Sequence, residues 1–191
     1  MTVDDPKQAR RNRVFLLVFL AIFAISGVLT LLYGMTVVDR VKAQAARSDV
    51  ALRLRAWSLL AHADATGRFP VVVEEADIHL DRIGIDDRLG ALSSDETLGG
   101  FSLAGEGLPA TRAEAILLVE PGLAGADGDL PDAAAIDEIV VVSLDPEGTL
   151  PPVLSVAGRP SGRVDGGTTI QLVNAWLQRA SQALAPGAEG P

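Results

Sequence analysis

VFLLVFLAIFAISGVLTLLYGMTVV, residues 14–38, runs for twenty-five positions without one charged side chain. A hydrocarbon layer about 30 Å thick needs roughly 20 apolar residues at about 1.5 Å of rise each, so the stretch predicts a membrane-spanning helix with a turn to spare. The rest of the chain divides around it. A basic tail precedes it (1–13), a helix-forming segment follows (39–67), then an acidic domain (68–185) and a short Pro/Gly tail (186–191) expected to be disordered.

Charge is split along the chain. Residues 1–69 carry ten basic and five acidic side chains, a net +5, whereas residues 70–191 carry six and twenty, a net −14. So acidic an outer part is repelled by phosphate backbones, which argues against nucleic acid as a partner and favours divalent cations or basic protein surfaces. With no cysteine there is neither a disulfide framework nor a thiolate site.

Lys7, Arg10, Arg11 and Arg13 precede the span, and by the positive-inside rule they keep the tail cytoplasmic and put the carboxyl-terminal domain on the outer, periplasmic side of a cytoplasmic membrane. Arg40, Lys42, Arg47, Arg53 and Arg55 follow the span and reduce that asymmetry. Ala43-Gln44-Ala45 has the small-x-small form of a signal-peptidase site. The apolar run is far longer than the roughly 7–15 residues of a cleavable signal, and Asp39, Arg40 and Lys42 crowd the approach, so an uncleaved signal anchor is expected. Within the span, Ser26, Thr30 and Gly34 recur every fourth residue and share one face. Small residues so spaced admit a second helix at close range, although membrane helices also carry such residues with no partner.

No proline occurs between residues 39 and 69 and no glycine before Gly67, and the segment is rich in Ala, Leu and Arg. The helix is therefore expected to continue to Thr66, with Gly67 as its cap and Pro70 as a stop. Val50, Leu54, Trp57 and Ala61 form a one-sided apolar stripe, predicting that Leu54, Trp57 and Ala61 pack this helix onto a sheet. Residues 69–73 read as a short strand, 75–92 as a loop with a helical turn or two, and 93–107 as loop. Thr111-Arg112-Ala113-Glu114 has the form of a capping box, yet the short branched run 115–119 closed by Pro121 favours a strand. Residues 138–144 (EIVVVSL) predict the clearest strand, Asp145-Pro146-Glu147-Gly148 a turn, and 153–157 its antiparallel partner. Thr168 or Thr169 is expected to cap a last helix running to about Leu184, with Ile170, Val173, Trp176, Leu177, Ala180 and Leu184 on one face. The fold class is α+β: a membrane helix continuing into a long amphipathic helix, packed on a small antiparallel sheet with a C-terminal helix.

Chemistry-bearing residues are sparse. Lys7 and Lys42 are the only lysines, Ser161 lies outside a G-x-S-x-G elbow, and His62 and His79 stand in no catalytic motif, so no enzyme is expected and each histidine reads as packed or solvated. Asp127, Asp129 and Asp132 lie in a glycine-rich loop that could offer a hard cation such as calcium several oxygens, although Pro131 breaks the EF-hand spacing. No other cofactor is implied.

The helix, then Thr66-Gly67-Arg68-Phe69-Pro70, then a small sheet, together with Glu120-Pro121-Gly122-Leu123, resembles the pilin-like proteins of type IV pili and type II secretion. The resemblance implies a membrane-held envelope protein that contacts other envelope proteins, while the Ser26, Thr30 and Gly34 face is where self-association through the transmembrane helix would occur. It also marks a departure. Such pilins are cut after a glycine, just before an apolar segment with glutamate at its fifth position, whereas residues 1–13 contain no glycine and 14–38 no acid. A degenerate, pseudopilin-like member without the prepilin peptidase site is therefore expected. The alternative is an extracytoplasmic ligand- or cation-binding sensory module on the same anchor.

Overall fold

A computed structural model describes residues 6–85, 87–92, 107–116, 130–164 and 166–185. The chain is α+β, with a long N-terminal helix, antiparallel strands and a C-terminal helix. It forms two compact units, Met1–Val41 and Lys42–Pro191, and α1 (Pro6–Thr66) contributes to both.

In the first unit the apolar side chains of α1 face outward, from Val37 at 41% exposed to Phe23 and Tyr33 at 73%. By length and composition alone this helix can cross a membrane. The hydroxyl of Thr30 donates to the Ser26 carbonyl at 2.9 Å and that of Thr36 to the Leu32 carbonyl at 2.9 Å, so neither is left unsatisfied.

In the second unit the sequence of α1 is apolar on more than one side, and its surroundings follow suit. Every residue from 50 to 64 is buried. The one-sided stripe is thus only part of the buried surface: Ala51, Leu52, Ala56, Leu59 and Ala63 lie off it, and all are fully buried. α1 stops where glycine permits it. Gly67 takes a φ of 82° and its N–H donates to the Ala63 carbonyl at 2.8 Å, while the Arg88 guanidinium donates to the Ala65 carbonyl at 2.9 Å.

The expected strand at 69–73 does not form: residues 69–72 lie in no element, and α2 (Val73–Asp77) supplies a helical turn overlapping the one read within 75–92, with the Glu75 carboxylate accepting from the Val71 N–H just before it at 3.0 Å. Likewise α3 (Arg112–Ile116) forms where a strand was expected to begin. Its capping residues decide the matter: the Glu114 N–H donates to the Thr111 hydroxyl at 3.2 Å, and the Glu114 carboxylate accepts from the Ala110 N–H at 2.8 Å. Residues 117–119 of that expected strand, the loop at 93–106 and the tail at 186–191 lie outside the described residues. α4 (Ala133–Ile139), capped by Asp132, takes the start of the strand predicted at 138–144.

β1 (Val140–Ser143) and β2 (Val153–Val156) then form the antiparallel hairpin, in the register Val140 to Val156 and Ser143 to Val153. Val140 and Leu154 point into the core, whereas Val141 and Val153 face out. A two-residue pair, β3 (Arg163–Val164) with β4 (Gly167–Thr168), was not legible beforehand. Thr168 caps α5 (Thr169–Leu184) in a reciprocal box with Gln171, as the sequence suggested. α5 covers the outer edge of β2: the Asn174 amide accepts from the Leu154 N–H at 2.7 Å and donates to the Leu154 carbonyl at 2.9 Å, standing in for a further strand.

Gly148 closes the β1–β2 turn at a φ of 66°, and a Cβ there would lie 2.8 Å from the Phe69 carbonyl oxygen. Gly158, at a φ of 64°, has nothing within 4 Å of the same position. Gly148→Ala is therefore expected to lower folding stability by about 2–3 kcal/mol and Gly158→Ala by about 1 kcal/mol, the backbone strain being shared and the clash not. Denaturant unfolding of both variants checks this, and equal losses would refute the role of the Phe69 contact.

Candidate functional site

The polar residues that α1 carries into the core define the site. Arg55 has a side chain with no exposed surface, and its guanidinium pairs with Asp77 of α2 and with Asp137 of α4. One cation thereby holds two helices to a third. Two residues earlier, Arg53 donates to the Ala115 carbonyl of α3 at 3.2 Å, and its guanidinium lies 5.9 Å from the ring centroid of Trp176 in α5. Burial lowers the pKa of Arg53 while the charge of Asp49 works the other way. Asp49, one turn earlier, accepts from the Gly162 N–H at 2.9 and 3.0 Å and from the Ser161 hydroxyl at 3.2 Å, which ties the approach to β3.

Asp64, near the end of α1, is fully buried and sits in a nest of donors. The N–H groups of Arg88 and Leu89 reach it at 2.7 Å and that of Asp87 at 3.3 Å, and the Arg82 guanidinium bonds it at 2.9 Å. Burial by itself would raise its pKa; the three N–H donors and the Arg82 charge outweigh that and hold it below the usual 3.8. Arg82 also donates to the Ala61 carbonyl at 3.1 Å, and its own carbonyl accepts from the Trp57 indole at 2.9 Å. Above α2, His62 and His79 meet ring to ring with centroids 5.3 Å apart. In the β1–β2 turn the Thr149 hydroxyl and the Leu150 and Thr149 N–H groups lower the pKa of Asp145 to about 2.

The residues singled out from sequence fare differently. Leu54, Trp57 and Ala61 are all fully buried, and the polar edge of Trp57 is aimed at the 78–83 turn. Ser26, Thr30 and Gly34 lie on the exposed part of α1, with open space around Gly34. Asp132 caps α4, accepting from the Ala135 N–H at 2.8 Å; Asp127 and Asp129 lie outside the described residues. Among the described residues no three carboxylates or imidazoles gather to hold a metal. A groove of about 260 Å³ opens where Arg68, Phe69, Thr149, Ser181 and Leu184 meet. Sequence reasoning missed Arg53 and Arg55, counting them only as charges following the span, and missed the meeting of the two histidines. The available signal was two arginines set inside an otherwise apolar helical run.

Such an arrangement fixes elements in place, and the donors around Asp64 hold that carboxylate ionised. Replacing Arg55 by Met, which keeps the stem but removes the charge, is expected to cost about 3 kcal/mol, at the low end for a buried pair because Asp77 and Asp137 keep some access to water. Asp64→Asn is expected to cost about 2–3 kcal/mol near neutral pH. Because the folded pKa of Asp64 is depressed, its contribution is complete above pH 3.8 and drains away as the pH falls below that value. The variant should therefore show a flatter acid limb, and melting temperature against pH for both chains checks it. Compared with protein-family models, with characterised proteins and with solved structures, the chain matches none.

Proposed function

We propose that this chain is a single-pass, membrane-anchored structural or interaction protein of the cell envelope. It is pilin-like in plan, a component of a secretion- or pilus-type assembly, with residues 14–38 in the cytoplasmic membrane, 1–13 inside and 68–185 outside. The observation that carries this reading is the bare apolar surface of α1: the large apolar residues from Phe15 to Val38 are 41–73% exposed along an uncharged stretch. So large a contiguous apolar surface requires a cover, and a lipid bilayer matches both its length and its lack of charge. Two further features support an interaction role. The buried ionic groups are engaged in ties between elements, and the net −14 of residues 70–191 suits contact with basic protein surfaces better than nucleic acid. Assembly would proceed without prepilin peptidase, since residues 1–13 hold no glycine and residues 14–38 no glutamate, the two residues that processing requires.

The cysteine-free sequence permits a clean topology test. A cysteine introduced at the exposed Ser155 should react with a membrane-impermeant maleimide in spheroplasts, and one at Thr2 only after lysis. The chain itself should resist alkaline carbonate extraction. Carbonate release would overturn the anchor, the reverse labelling pattern would overturn the orientation, and crosslinking in intact membranes that yields monomer alone would overturn the assembly role.

A further inference from the structure

His62 and His79 come from different elements and meet edge to face, with ring planes at 82°. His62, on α1, is only 7% exposed, and its Nδ1 lies 3.2 Å from the carbonyl oxygen of Glu75 in α2. A carbonyl can only accept, so Nδ1 carries the proton and Nε2 of the neutral ring carries none. His79 stands two residues beyond α2 and is half-buried. Among the described residues, the following face this pair. α1 contributes His62 itself, and the turn after α2 contributes Arg82, already bonded to Asp64 and Asp87. α2 contributes the Glu75 carbonyl, while the Glu75 carboxylate is turned away to the Val71 N–H.

We propose that the His62–His79 contact is a proton-operated latch, closed when both rings are neutral and opened by mild acid, that governs how firmly residues 71–83 are held to α1. A proton on one ring places a cation against its neighbour in a half-buried setting. A second proton sets two like charges about 5 Å apart, with the Glu75 carboxylate turned away to the Val71 N–H. Burial, the neighbouring His62 and Arg82 all lower the pKa of His79 from the ordinary 6.5. The closed state is therefore fully stabilised above pH 6.5 and loses that contribution as the pH falls below it. Asp64 and Asp145, with pKa values below 3.8, keep their charges throughout this window, so the Arg82–Asp64 tie and the β1–β2 turn hold while the latch opens. Opening is thus local. The segment it loosens presents Ile78 and Ile83, each 82% exposed, beside exposed Glu74 and Asp81. The device does not depend on the proposed membrane topology.

Hydrogen exchange of the full chain in lipid nanodiscs, corrected for the intrinsic pH dependence of exchange, tests the latch between about pH 7.5 and about pH 5.5. Protection of residues 71–83 should fall several-fold over that range while that of α5 stays constant. In His79→Gln the pH dependence of 71–83 should disappear, with α5 again unchanged. A wild-type chain whose 71–83 segment is insensitive to pH, or that loosens uniformly, overturns the proposal. So does a His79→Gln chain that keeps the wild-type pH dependence.

Discussion

A guanidinium with no exposed surface must be paired, and the pairing of Arg55 with Asp77 and Asp137 is the constraint on which the domain turns. Residues 50–64 of α1 are covered on every side, so the helix is a shaft with the other elements set around it. Apolar contacts hold such elements close but define their angle and register poorly. The polar groups of α1 supply the missing definition, each toward a different neighbour. Arg55 addresses α2 and α4, Arg53 addresses α3 and α5, Asp49 the approach to β3, and Asp64 the turn at 87–89. Net stability from these ties is modest, because desolvation offsets much of the attraction. Their effect is that misplacing any one element leaves a buried charge unpaired.

This distribution explains which parts of the chain could be read in advance. The apolar run at 14–38, the β1–β2 hairpin around Asp145-Pro146-Glu147-Gly148, and α5 with its Thr168 cap are specified by neighbouring residues, and each was legible. α3 and α4 were not, although each start was written locally in Thr111 with Glu114 and in Asp132, and α2 was read only as a helical turn within residues 75–92. At those places branched or apolar runs suggested strands, and satisfaction of the backbone donors at the helix start outweighed that preference. Asp132 illustrates the confusion most directly: a carboxylate in a loop serves as cation ligand or helix cap with the same chemistry, and only the position of the Ala135 N–H separates the two. The arginine pairings were illegible for another reason. The partners of Arg55 lie 22 and 82 residues away, and nothing in a local pattern names them.

α1 also inverts the usual relation between sequence and surroundings. Along the uncharged run 14–38 it is bare, and where it carries Arg53, Arg55 and Asp64 it is buried. In water alone this arrangement is unfavourable at both ends, exposing apolar surface along one stretch and desolvating charge along the other. A bilayer removes the first difficulty, which is the physical content of the proposed anchor. The second is removed inside the domain by partners with graded access to solvent. The side chain of Asp77 is 25% exposed and that of Asp137 50%, so Arg55 is neutralised by carboxylates that remain partly hydrated. That gradient from a dry cation to partly hydrated anions needs water on the far side of the carboxylates. It also distinguishes the arginine ties from the histidine pair, whose two rings are both basic. The first hold at any pH that keeps carboxylates ionised, and the second only while the rings stay neutral, so one helix carries permanent and conditional fastenings a few turns apart.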